Sequence, residues 1–194
     1  MVLGDYSSID YMTYQPNSLN GLGTVKLNNT MTTSCNRINI PVTQFSSNFD
    51  IFCVVKLNAN ININNGILLD VWPGNRNIGV YKADSKMRLL ISSSELSTPF
   101  DVSGLIGTWI VIRSSFRLYT TYSITFIVNG VVSSFPALSP FTSGGIPTQF
   151  NIGSYPANCH GLDYDLAEMR IYDGIMSTSG ISSITSELRT KWAV

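Results

Sequence analysis

From residue 24 to residue 172 the sequence repeats one pattern, a short apolar run followed by a cluster of Gly, Pro, Asn, Asp or Ser. Runs of this length are too brief for buried helices, and the residues between them carry turn chemistry, so the pattern predicts strands. The strongest run is Phe49-Asp50-Ile51-Phe52-Cys53-Val54-Val55-Lys56-Leu57. Its period of two puts Phe49, Ile51, Cys53, Val55 and Leu57 on one face. Phe52 and Val54 make the other face partly apolar, as in a central strand covered on both sides. Residues 67–72 form the next strand, stopped by Pro73-Gly74-Asn75, and residues 78–82 and 87–91 flank Ala83-Asp84-Ser85-Lys86 as a hairpin. After a strand at 108–113, the run 122–128 leads into Asn129-Gly130 and Val131-Val132. Asn-Gly between β-branched runs is a type I′ hairpin signal, because both central residues need positive φ. Residues 150–153 and 165–172 are the last strands, and 25–27 and 37–40 are brief and edge-like. Residues 58–65 read as an exposed loop, with room for a short strand in the Asn-Ile alternation at 60–64, and 133–147 reads as a long surface connection.

At residue 177 the period changes. Ile181, Ile184, Leu188 and Trp192 recur at i, i+3, i+7 and i+11, one stripe of a helix begun by a Ser or Thr cap within 177–179. Many short strands and a single terminal helix predict an all-β antiparallel two-sheet sandwich closed by one short C-terminal helix. At 194 residues the chain suits one domain, burying roughly 70% of the surface its unfolded form exposes. Residues 1–20 carry Tyr6, Tyr11 and Tyr14 without a clean period, so they are assigned as an N-terminal arm or edge segment before a domain at 21–194.

Composition excludes several function classes. Charged residues make up only 12%, with 12 basic and 12 acidic side chains, while 25 Ser, 16 Thr and 17 Asn supply neutral polarity. Seven Arg and five Lys are scattered, so no basic face exists to bind nucleic acid. No stretch approaches 18 apolar residues, which argues against a membrane span. The start, Met1-Val2-Leu3-Gly4-Asp5-Tyr6, lacks a positive region followed by an apolar run, so synthesis in the cytoplasm without a signal peptide is expected. Cys35, Cys53 and Cys159 include no CxxC, and His160 is the sole histidine, so zinc is not expected. Three reduced, mostly buried thiols are the main reading, and a Cys35 or Cys53 bridge to Cys159 is the alternative.

Several segments in the second half resemble a known family. They are Gly107-Thr108-Trp109-Ile110-Val111-Ile112-Arg113, Phe126-Ile127-Val128-Asn129-Gly130-Val131-Val132, Phe150-Asn151-Ile152-Gly153, and Leu166-Ala167-Glu168-Met169-Arg170-Ile171-Tyr172-Asp173 with the following Ile175-Met176-Ser177-Thr178-Ser179-Gly180-Ile181. In this order they are similar to motifs of the laminin-G-like or concanavalin-A-like jelly-roll domains, over roughly residues 24–192. The resemblance implies a jelly roll in which Trp109 packs a sheet and Gly130 serves the hairpin. It also implies a rim site for calcium, for which Asp70, Asp163 and Asp165 are the candidates among the hard oxygen donors. No activity follows from such a fold.

Chemistry separates the candidate sites. Sugar recognition uses an exposed aromatic plane beside amide and charged groups. Trp72, Asn75, Arg76 and Asn77 offer that set within one turn, and Tyr155 with Asn158 offers a second. The competing reading of Trp72 is a cap on the core at a strand end. Sandwich glucanases that resemble this fold use an E-x-D-x-x-E strand, and Asp163-Tyr164-Asp165-Leu166-Ala167-Glu168 has that spacing with Asp first. Glu168, however, falls in a scaffold-like segment and is expected to partner a basic group. No Gly-x-Ser-x-Gly elbow accompanies His160, so no catalytic residue is assigned and no cofactor beyond calcium is expected.

Two function classes remain. The leading expectation is a non-enzymatic structural or adhesion subunit of a larger assembly, such as a virion or phage surface, fibre or tail component. Such a subunit would contact other protein subunits through residues 1–20, touch host surface glycans, and be displayed on a particle. The alternative is a free-standing carbohydrate-binding, lectin-like module. A glycoside hydrolase of the sandwich glucanase type ranks third.

Overall fold

Strands dominate the computed structural model, which describes residues 12–27, 38–58, 65–72, 76–83, 86–91, 94–95, 103–117, 123–128, 131–136, 146–153 and 162–194. One antiparallel sheet has seven strands in the order β1 (Met12–Leu19), β2 (Leu22–Leu27), β13 (Tyr164–Asp173), β4 (Phe49–Leu57), β9 (Trp109–Phe116), β10 (Ser123–Val128) and β11 (Val131–Pro136). The other has six, in the order β3 (Ile38–Pro41), β12 (Gln149–Ile152), β5 (Asn65–Trp72), β6 (Arg76–Ala83), β7 (Lys86–Ile91) and β8 (Ser94–Glu95). Helix α1 (Thr178–Trp192) follows β13. This is an all-β, two-sheet jelly-roll sandwich with one short C-terminal helix; the sequence pattern implied the sandwich and helix, and the family resemblance implied the jelly roll.

The period of β4 decides what each of its faces buries. Phe49, Ile51, Cys53, Val55 and Leu57 face Leu68, Leu69, Val71, Phe150 and Ile152 across the sandwich. At one end Phe49 stacks on Phe116 at 4.8 Å and meets Phe45 and Phe150 edge-on, both at 5.7 Å. Toward the other end the Tyr164 hydroxyl donates to the Leu68 carbonyl at 3.0 Å, tying the two sheets together. Burial pushes the Cys53 thiol well above its ordinary pKa. Thiolate is the reacting form. Cys53 should therefore stay unmodified by iodoacetamide in the native protein and react only in denaturant, as peptide mass mapping would read.

The opposite face of β4 carries Phe52 and Val54, which pack with Val111, Leu188 and Trp192. Ile181 and Ile184 join them, so the predicted apolar stripe is the face by which α1 docks on the sheet. Ser177 is the N-cap, its Oγ accepting from Gly180 N at 3.2 Å. The helix closes on Ala193 in the left-handed region, whose amide donates to Arg189 O.

Three local expectations are narrowed or changed. First, of the two readings of residues 1–20, residues 12–19 take that of an edge strand, β1, while residues 1–11 lie outside the described residues. Asn20 (φ 49°) and Gly21 (φ 71°) make the turn to β2, with Leu19 opposite Leu22. It is the same Asn-Gly signal read at 129–130, but here Pro16 and a register shift between Gln15 and Leu19 mask the alternation. Second, residues 133–136 belong to β11 rather than to a connection. Pro136 is tolerated because β11 is the outermost strand of its sheet. Third, β6 and β7 pair down to Ala83 opposite Lys86, so only two residues separate them. Val128 faces Val131 in the same way, as the hairpin signal predicted, although residues 129 and 130 are outside the described set.

Candidate functional site

α1 covers the outer face of the seven-stranded sheet, and the corresponding face of the six-stranded sheet gathers polar and aromatic groups. In β5, Leu69 and Val71 point into the core, which sends Asp70 and Trp72 outward. In β12, Phe150 and Ile152 point inward, so Gln149 and Asn151 face out. β3 repeats this, with Ile38 and Ile40 packed on the core and Asn39 and Pro41 outward. Register aligns these residues in two rows across the strands. One is Asn39, Asn151 and Asp70, and the other is Pro41, Gln149 and Trp72.

Hydrogen bonds join the rows. Asn39 Nδ2 donates to Gln149 Oε1 at 3.3 Å, Gln149 Nε2 to Asn151 Oδ1 at 3.5 Å, and Asn151 Nδ2 to Asp70 Oδ2 at 3.2 Å. Asp70 and Asn151 are fully buried, Asn39 and Gln149 half-buried, and Pro41 exposed. Trp72 is 43% exposed and stands opposite Gln149, so it lies at the surface beside an ordered amide network. Its carbonyl accepts from Thr148 N at 2.8 Å, and Thr148 O accepts from Val42 N at 2.9 Å. An exposed aromatic plane beside a fixed amide can support a sugar ring while bonding to its hydroxyls.

Of the other residues proposed for sugar contact, position 77 stands opposite Asp70 and position 76 opposite Val71 in the β5–β6 register, but the side chains of Arg76 and Asn77 lie outside those described. Asn75, Tyr155 and Asn158, together with Cys35, Cys159 and His160, also lie outside the described residues. Asn39, Pro41, Gln149 and Asn151 were not anticipated as part of this surface. The signal available for them was the outward parity of two short runs, and it becomes informative only once β3, β12 and β5 are known to be neighbours.

The three calcium candidates do not form one donor set. Asp70 is in the six-stranded sheet, whereas Asp163 and Asp165 sit at the start of β13 in the other sheet. Asn58 Nδ2 donates to Asp163 at 3.0 Å and to Asp165 at 3.3 Å, and Lys56 Nζ lies 2.7 Å from Asp165. Calcium requires six to eight oxygens, and an amide donor and an ammonium occupy this position instead. The residues described do not fit the ion, and among them no three His, Cys, Asp or Glu side chains gather to hold a metal.

Asp163 and Glu168 are engaged by separate partners. Asn58 N bonds to Asp163 O, and Glu168 pairs with Val54, which is four residues farther along β4. At ~3.3 Å per residue their backbones stand about 13 Å apart along the sheet. Glu168 also has three partners, as expected of a residue that pairs with basic groups. Arg170 binds Oε1, while Lys191 Nζ (2.8 Å) and Trp192 Nε1 (2.7 Å) bind Oε2. Burial alone would raise its pKa, but these three bonds outweigh it and hold the carboxyl below its ordinary 4.5. A depressed folded value means stability that is complete above the unfolded pKa and lost as pH falls through the folded one. Glu168→Gln should therefore cost about 1 kcal/mol at neutral pH. That difference should shrink steadily below about pH 4.5 in urea titrations of the two proteins.

No protein-family model matches the chain, and no curated protein sequence does. Solved structures do match. Domain 4 of AbnA, a GH43 extracellular arabinanase from Geobacillus stearothermophilus in complex with arabinotriose, matches at 16% identity over 89% of this chain and 80% of that one, with a TM-score of 0.55. A GH54 α-L-arabinofuranosidase matches at 11% identity, covering 90% of this chain and 42% of that one, TM-score 0.62. The botulinum neurotoxin serotype D binding domain matches at 11% identity, covering 90% and 45%, TM-score 0.58. The chain spans less than half the length of the latter two. These likenesses establish a concanavalin-A-like antiparallel jelly roll, a fold that recurs in sugar-processing proteins and in a toxin binding domain.

Proposed function

We propose that this domain is a non-catalytic carbohydrate-binding module of laminin-G-like character, and that its ligand meets the outer face of the six-stranded sheet at Trp72. The observation that carries the reading is the exposed Trp72 opposite Gln149 of the Asn39–Gln149–Asn151–Asp70 network. Support also comes from the likeness to a domain of similar extent in complex with arabinotriose. The non-catalytic part is supported by the engagement of Glu168 with three donors, which leaves it no free role as an acid or base. On a glycan array the wild-type protein should bind a discrete set of sugars, and Trp72→Ala should weaken that binding at least about tenfold, a loss of roughly 1.4 kcal/mol. Equal signals from the two proteins would sink the proposal. The variant should fold normally, because the indole lies outside the core.

A second reading, a subunit displayed on a virion or other particle and joined to its neighbours through residues 1–20, is favoured by the position of β1. β1 is the outermost strand of its sheet, and Tyr14 on it is 67% exposed. Light scattering should then give an oligomer, and a clean monomer mass at high concentration would count against it.

A further inference from the structure

We infer that the Trp72 surface is built for a run of linked sugar units lying across the strands, with Pro41 as a second platform, an inference that rests on the carbohydrate reading above. Pro41, Gln149 and Trp72 are consecutive in one cross-strand row, Pro41 opposite Gln149 and Gln149 opposite Trp72. All three point away from the core by the alternation of β3, β12 and β5. Pro41 and Trp72 are exposed, with Gln149 half-buried between them. Neighbouring strands are ~4.8 Å apart, so the two apolar rings stand on backbones about 10 Å from each other. One sugar ring on Trp72 does not reach Pro41, but the next unit or two of a linear chain does.

The spacing is held rigidly. Val42 N bonds to Thr148 O and Thr148 N to Trp72 O, so β3, β12 and β5 are stitched together beside this row. Gln149 is oriented from both sides, accepting from Asn39 and donating to Asn151. An amide has two donor hydrogens and two acceptor lone pairs, so among the described residues one of each is left over for a ligand hydroxyl. A surface set in place before binding loses little entropy when a chain settles on it. The arrangement is apolar ring, amide, apolar ring, and it matches a linear oligosaccharide whose ring faces meet the two ends while a hydroxyl meets the middle.

Titration calorimetry on the intact chain tests this with two series, arabinose to arabinotriose and glucose to cellotriose. In the series that binds, affinity should rise about tenfold or more from the monosaccharide to the trisaccharide, as expected when a second contact becomes intramolecular. Pro41→Ala should weaken the trisaccharide several-fold and leave the monosaccharide unchanged, Gln149→Ala should weaken both, and Trp72→Ala should abolish binding at every length. If Trp72→Ala abolishes binding but the monosaccharide binds as tightly as the trisaccharide, the inference falls and the carbohydrate reading survives. It falls in the same way if Pro41→Ala leaves the trisaccharide untouched. Failure of both series to bind the wild-type protein also overturns the inference, and the glycan array then decides the carbohydrate reading alone.

Discussion

Replacing Phe49 with alanine is expected to destabilise the protein by about 4 kcal/mol. Phe49 is fully buried at the point where both sheets contribute aromatic rings. Its ring stacks on Phe116 from the neighbouring strand and meets Phe45 and Phe150 edge-on. Truncation removes the buried ring area and three ring contacts together. The hole left behind is lined in large part by side chains held on strands, Phe116 and Phe150 among them, which cannot collapse into it. Phe49→Leu should cost roughly half as much, because it keeps most of the volume but not the ring geometry. Urea unfolding reads both, with a lowered midpoint and an unchanged slope as the expected pattern. A cost below about 1 kcal/mol for the alanine variant would mean that the aromatic cluster does not hold the sheets together.

The next residue gives the second large effect for a different reason. Asp50 is fully buried on the helix side of β4. Its Oδ1 lies 2.7 Å from Arg113, its Oδ2 binds Arg117, and the Met176 amide approaches Oδ2 at 3.4 Å. Asp50→Ala should cost about 3 kcal/mol, because it leaves two largely buried guanidinium groups without their counter-charge. Each Arg side chain is 13% exposed, so some water reaches them and the loss sits at the low end for a broken buried pair. The diagnostic is the double variant Asp50→Ala with Arg113→Met. Removing a stranded charge as well should restore part of the lost stability, and strictly additive losses would contradict this explanation. Since Met176 directly precedes the Ser177 cap, the single variant should also speed amide exchange in the first turn of α1.

How much of this was legible differs from one element to the next. The two faces of β4, the stripe of α1 and a Ser or Thr cap within 177–179 could be read directly, because each is encoded within a few neighbouring residues. Glu168 was recognisable as a partner for basic groups from the segment around it. Asn20-Gly21 carried a readable turn signal, but its flanking strand has Pro16 and an irregular register, so the hairpin was hidden by weak alternation on one side. The Asp50 cluster could not be anticipated, since Asp50 and Arg113 are 63 residues apart and only the pairing of β4 with β9 brings them together. The sugar surface was half readable. Trp72 stood out beside its turn, whereas Gln149 and Asn39 are 110 residues apart in sequence and touch only because β3 and β12 are adjacent.

The amino-acid order by itself determined the central strands, most of the turns, the two faces of β4 and where the final helix begins. These follow from periodicity and φ preferences that act over fewer than ten residues. Strand order, register and the choice of which outer face α1 covers were decided only in the folded molecule. They depend on many distant apolar faces being buried at once, and no single segment carries that information. The polar row beside Trp72 exists because β3, β12 and β5 became neighbours, and the same residues in another strand order would have been scattered surface amides.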